Sequence, residues 1–198
     1  MKETVIDLIR HGEPEGGSRY RGHAIDDPLS ETGWRQMWQA AGTTVQWQHI
    51  ITSPLARCRE FACALGERDH VGVSIDDRLK EIGFGAWEGR TRAELKRNDL
   101  QAYQAFYHDP VNCRPTGAEA LDSFFARVTD AYEDIIQQQT GSHCLLVAHA
   151  GVIRAIITHV LRAEVESLYR IKIDNAGITR IRHGLYGPML EFVNHPGL

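Results

Sequence analysis

Four side chains in this sequence could together hold and attack a phosphoryl group: Arg10, His11, Arg57 and His149. Arg10 and His11 close an apolar run of Val5, Ile6, Leu8 and Ile9, and Gly12 follows them. A cation and an imidazole at a strand exit make a compact anion site. Gly12 lets the backbone turn there and approach a ligand closely. Arg57 comes just after a second short run, His49-Ile50-Ile51-Thr52, and His149 directly after a third, Cys144 to Ala148. Arginine forks engage phosphate oxygens two at a time, which lysine cannot do. A carboxylate ligand would need fewer donors. Taken singly, His11 reads equally as a loop histidine and Arg57 as a surface helix charge. It is the recurrence at three strand exits that points to a phosphoryl pocket.

The elements that must place these groups follow from periodicity. Val5–Ile9 and His49–Thr52 predict buried strands, Val71–Ile75 a third, and the uninterrupted apolar run Cys144–Ala148 a central parallel strand covered on both faces. Ser30 is a helix N-cap with Glu31 in the first turn, and Trp34, Met37, Trp38 and Ala41 mark one apolar face. Ser53-Pro54 predicts a second N-cap, with Pro at the first helical position and Gly66 as the stop. A helix begins near Thr91, and residues 100–117 read as short helices and a loop over one edge of the site. Ala118–Gln139 is the longest helix, and another follows His149. Residues 169–173, 177–182 and 189–193 predict further strands. Strands alternating with helices give an α/β fold of three layers, α/β/α, around a mostly parallel central sheet. The first, second and fourth strands must lie side by side and parallel for the site to form. The helix after His149 would then point its N-terminal amides at the same anion.

With 198 residues, the chain is expected to form a single domain, 1–198. The net charge of −4 gives no nucleic-acid or membrane surface, so anion attraction must be local. No run has transmembrane length and no secretory segment is read, so a cytoplasmic location is the expectation. Cys58, Cys63, Cys113 and Cys144 lack CxxC spacing and read as reduced, mostly buried thiols. The histidines show neither HxH nor HExxH, so neither a metal site nor a cofactor is expected. Gly83-Phe84-Gly85 lacks the strand-to-helix frame of a dinucleotide fingerprint. A cysteine-type phosphatase would need Cys-x5-Arg, and neither Cys58 nor Cys144 has arginine at that distance.

Leu8-Ile9-Arg10-His11-Gly12-Glu13, Ser53-Pro54-Leu55-Ala56-Arg57, Leu79-Lys80-Glu81 with Gly85-Ala86-Trp87-Glu88-Gly89, and Val147-Ala148-His149-Ala150-Gly151-Val152-Ile153-Arg154 occur in that order. The ordered set resembles the histidine phosphatase superfamily, with its phosphoglycerate-mutase-like fold. Within it, Glu13-Pro14-Glu15-Gly16-Gly17 and Arg19-Tyr20-Arg21-Gly22 are most similar to the small bacterial α-ribazole phosphatases of cobalamin assembly. The resemblance implies a phosphohistidine on His11, with Arg10, Arg57 and His149 holding the phosphoryl oxygens. It implies Glu81 as the acid, with Glu13 and Glu88 as rival carboxylates. Gly17, Tyr20, Arg21, Gly22 and Ala150 are the expected substrate-binding positions. Two departures stand out. Gly17 replaces an Asn common in the family, and Ala150 replaces a Gly.

The expected partner is a small phosphomonoester, foremost α-ribazole 5′-phosphate. Gly16 and Gly17 leave room for a large group, and Tyr20, Trp87 and the Tyr103–His108 stretch could stack on its base. A broad-specificity phosphatase and a phosphoglycerate mutase are the alternatives among enzymes, and a phospholigand-binding module outside them.

Overall fold

The computed structural model describes residues 2–198. Strands β1 (Thr4–Arg10), β2 (His49–Thr52), β3 (Val73–Ile75), β4 (His143–Ala148), β5 (Ile178–Gly184) and β6 (Gly187–His195) form one sheet in the order β3-β2-β4-β1-β5-β6. The β3-β2-β4-β1 block is parallel, and β5 and β6 add an antiparallel hairpin. β4 thus sits between β2 and β1, with Arg10 in register with Ala148 and Thr52 with Val147. The three strand exits therefore lie side by side at one edge.

Helices α1 (Glu31–Ala41), α2 (Ala56–Asp69), α3 (Arg92–Asn98), α4 (Leu100–His108), α5 (Leu121–Gln138) and α6 (Ala150–Val160) complete the framework. Alternation along β4 divides the core in two. Cys144, Leu146 and Ala148 face a cluster with Phe124, Val128 and Ile156 from α5 and α6. Leu145 and Val147 face a second cluster with Met37, Phe61 and Leu65 from α1 and α2. These are the two outer layers. Among the described residues, no helix is long and apolar enough to cross a membrane.

Several boundaries differ from the sequence reading. Ser30 caps α1 as expected, its side chain accepting the Gly33 amide. Ser53-Pro54 does not open α2, which begins at Ala56. Its first amide instead donates to Asp26 Oδ1 at 2.6 Å, so a distant loop supplies the cap. Gly66 does not stop α2 either. The helix runs on to Asp69 and turns at His70, whose φ is 56°. Gly66 serves packing, since a Cβ there would overlap Val73. Residues 169–173 form no strand. A 3-10 helix covers Val165–Arg170, and the carbonyls of Ile171 and Ile173 accept from Arg154 and Arg10 instead of a ladder partner. The cysteines are all free, but Cys63 is exposed.

Candidate active site

β1 delivers His11 beside β4, its amide donating to Ala148 O at 3.0 Å. The ring is buried, and Nδ1 lies 2.8 Å from Gly12 O. Only an N–H can serve that carbonyl, so the proton sits on Nδ1 and Nε2 carries the free lone pair. Burial, then the charges of Arg10 and Arg57, hold the His11 pKa well below 6.5. Gly12 has a different reason from the one read in the sequence. A Cβ there would overlap the backbone of Gly33 at the start of α1, so its smallness admits a helix, not a ligand.

Arg10 donates through Nη1 to Ile173 O at 2.6 Å. Arg57 donates to Ile25 O at 3.0 Å and Gly22 O at 2.8 Å, and is only 1% exposed. In each, Nε is buried and has no hydrogen-bond partner among the described residues. Unsatisfied buried donors are costly, and both guanidiniums border the same cavity, where an arginine fork can engage an anion. Burial lowers the Arg10 pKa to about 10, so the guanidinium stays charged at neutral pH.

His149 is fully buried at the N-cap position of α6, edge-on to His11 with ring centroids 5.2 Å apart. Its Nε2 lies 2.7 Å from Ser53 Oγ, and Cys58 Sγ is 3.6 Å from the same nitrogen. Burial and the Arg57 charge hold its pKa well below 6.5. His149 stands behind His11, while its neighbour Ala150 reaches the cavity wall.

Glu81 accepts from the Ile82 amide at 3.0 Å and from Gly151 in the first turn of α6 at 3.2 Å. It faces the same cavity of about 530 Å³ as Arg10, His11 and Arg57. Of its rivals, Glu13 also reaches that cavity. Glu88 does not. Its carboxylate accepts from the Phe84 and Ala24 amides at 2.9 and 3.1 Å.

The loop after β1 closes the site. Gly16 and Gly17 have φ of 74° and 71°, a region that favours glycine, and a Cβ on Gly17 would meet only open space. Arg21 borders the cavity, yet its fork holds the loop together, donating to Asp27 at 2.8 Å and to the carbonyls of Glu15 and Gly17. Gly22 contributes the carbonyl that holds Arg57. Tyr20 has its hydroxyl 2.6 Å from that of Tyr107 and stands between the cavity and an annex of about 570 Å³. Phe84, Tyr103, Tyr107 and Tyr169 line that annex. Trp87, read as a stacking surface, packs behind it against Tyr103 and Phe106.

Sequence reasoning missed Arg92, Arg154 and Lys172, which border both cavity and annex. Arg154 lies one helical turn beyond Ala150, a spacing that could have marked it. Arg92 and Lys172 carry no local signal. Ser53, read as a helix cap, belongs with His149 instead. A neutral buried imidazole with a free Nε2, lining one cavity with two guanidiniums and a carboxyl, can attack a tetrahedral anion while the carboxyl exchanges a proton with the leaving group.

A family model described as "Histidine phosphatase superfamily (branch 1)" matches residues 6–196. A bifunctional protein of Mycobacterium tuberculosis is 33% identical over 180 residues, covering 89% of this chain and 49% of its own. The chain thus spans about half the length of the first curated relatives it matches. A glucosyl-3-phosphoglycerate phosphatase of Mycolicibacterium vanbaalenii is 34% identical, covering 84% of this chain and 78% of its own. An adenosylcobalamin/alpha-ribazole phosphatase of Salmonella typhimurium is 31% identical, covering 84% of each. The crystal structure of the alpha-ribazole phosphatase from Shigella flexneri superposes with a TM-score of 0.83 at 26% identity over 98% of both chains. With its fold, its ordered motifs and a family match over nearly its whole length, this chain belongs to the histidine phosphatase superfamily, branch 1.

Proposed function

We propose that this chain is a single-domain, cytoplasmic phosphomonoesterase that works through a phosphohistidine on His11. Nε2 of His11 attacks phosphorus as the P–O bond to the alcohol breaks. Glu81 gives its proton to the departing oxygen. The Glu81 carboxylate then takes a proton from water as that water attacks phosphorus and the N–P bond breaks, releasing phosphate and free His11. Arg10 and Arg57 hold the equatorial oxygens, where charge resides in the transition state. Neutral His149, its Nε2 on Ser53 Oγ behind His11, buttresses the His11 ring instead of holding the phosphoryl oxygens that the sequence assigned to it. The guanidiniums supply the positive charge, so the reading includes neither metal nor cofactor. The observation that carries it is the His11–Gly12 hydrogen bond, which leaves Nε2 unprotonated among the unsatisfied arginine donors. Rapid quench with labelled substrate tests it, with an acid-labile, base-stable phosphoenzyme on His11 as the expected result. Near-normal turnover by His11→Ala would overturn the reading, and binding without any turnover would leave a phospholigand module.

For the substrate we propose α-ribazole 5′-phosphate. The open space at Gly17 and the aromatic annex beyond Tyr20 would take a bulky planar leaving group, and base–aromatic stacking is worth about 1–3 kcal/mol. The Salmonella and Shigella relatives carry that name. A second reading has its own observation. Arg92, Arg154 and Lys172 beside the annex favour a leaving group that bears a carboxylate, such as the glycerate part of the phosphoglycerate ester in the Mycolicibacterium relative's name. Specificity constants decide. A value for α-ribazole 5′-phosphate at least about tenfold above 3-phosphoglycerate, AMP and sugar phosphates supports the first, since tenfold is about 1.4 kcal/mol of discrimination. The reverse order supports the second, and a flat profile a broad phosphatase.

A further inference from the structure

We propose that Arg127, which lies outside the cavity, is a positioning residue for Glu81. Arg127 stands in the second turn of α5 and places three N–H donors on the main chain around Glu81 and two on the carboxylate of Glu119. Nη1 donates to Arg78 O at 2.6 Å and Lys80 O at 2.9 Å, and Nη2 to Glu81 O at 3.3 Å. Nε and Nη2 also donate to the Glu119 carboxylate at 2.7 and 2.9 Å. Glu119 in turn accepts the Gly83 amide at 3.1 Å. The guanidinium carbon lies 4.8 Å from the centre of the Phe124 ring, which fixes its plane.

These bonds matter because few others hold that segment: Arg114 Nη2 and the Glu119 amide donate to Gly83 O at 3.2 and 3.1 Å, and the Phe84 amide to Glu88 at 2.9 Å. A 3-10 turn ends at Leu79 and the next begins at Gly85, so residues 80–84 have neither ladder nor helix. His23 adds one bond, with Nδ1 3.1 Å from Glu81 O. Among the described residues, the Glu81 carboxyl is gripped only by the Ile82 and Gly151 amides. The Arg127–Glu119 pair therefore fixes the main chain on both sides of Glu81, and with it the distance from carboxyl to leaving oxygen. A proton donor works only within hydrogen-bond reach, and a misplacement of about 1 Å can cost about 10²-fold. Lysine at 127 would keep the charge and lose the fork.

The assignment rests on Glu81 as the acid of the proposed reaction. The test compares kcat/KM for glycerol 2-phosphate, whose alkoxide needs a proton, with that for p-nitrophenyl phosphate, whose leaving group hardly does. That constant reports phosphoryl transfer to His11 and not the later hydrolysis. Arg127→Ala should lose about 10²-fold on the alkyl ester, with the aryl ester little changed. In a Glu81→Gln background, Arg127→Ala should add no further discrimination. A merely structural role would lower both substrates alike, and that result, or a further selective loss in the Glu81→Gln background, would overturn the proposal. If Arg127→Ala does not fold, Arg127→Lys carries the same comparison with the same two outcomes. A phosphoenzyme trapped on His11 with p-nitrophenyl phosphate in the Arg127 variant keeps the reading of the reaction standing whichever way the comparison falls.

Discussion

The amide of Gly151 donates to Oε2 of Glu81 at 3.2 Å, and a methyl group on Gly151 would overlap Oε1 of the same carboxylate. The first turn of α6 thus both grips Glu81 and must lack a side chain to do so. Glu81→Gln is expected to cut kcat/KM for an alkyl phosphate by ~10²–10⁴-fold, the usual worth of a general acid, and far less for p-nitrophenyl phosphate. Gly151→Ala should mimic that selectivity by pushing the carboxyl aside. Alanine in a helix is about 1 kcal/mol better than glycine, so its melting temperature should hold or rise. Equal losses on both substrates for Glu81→Gln would move the acid role to Glu13.

Arg57→Lys is expected to lose about 2–4 kcal/mol of transition-state stabilisation, the scale of removing one preorganised donor. One ammonium cannot reach Ile25 O, Gly22 O and a phosphoryl oxygen in the fork's geometry. The ratio of kcat/KM to the unaltered protein measures this, and a variant within a factor of two would place Arg57 outside the chemistry.

Stability should fall on mild acidification. His11 and His149 have folded pKa values well below 6.5, chiefly through burial, while the unfolded chain titrates near about 6.5. Below that value the unfolded state binds more protons, so stability is full above it and is lost as pH falls through it. The slope is about 1.4 kcal/mol per pH unit per histidine. His183, also lowered by burial, adds in the same direction. Denaturant unfolding between pH 7 and 5 should show this slope. Replacing His11 and His149 by Gln should reduce it. An unchanged slope in that double variant would refute the assignment.

Activity is expected to survive EDTA, because Arg10 and Arg57 already line the cavity with His11 and supply the positive charge. Loss in chelator, restored by one divalent ion, would overturn the metal-free mechanism.

Arg10, His11 and Arg57 were legible in the primary structure because each lies at or near the end of an apolar run, whereas Glu81 was indicated only by the family resemblance. Local periodicity is enough to put such residues at strand exits. The three-layer architecture was legible for the same reason, through the unbroken run Cys144–Ala148. What periodicity cannot supply is which group satisfies which donor, since those partners are far apart in the chain. Ser53 reads locally as a cap, yet it meets His149 from 96 residues away, and Asp26 caps α2 from 30 residues away. Ile171 and Ile173 have the spacing of a strand, but arginines from β1 and α6 take their carbonyls. Gly12 looks made for a ligand and instead admits α1. Buried polar groups must be paired somewhere, and only the packing of distant segments decides where.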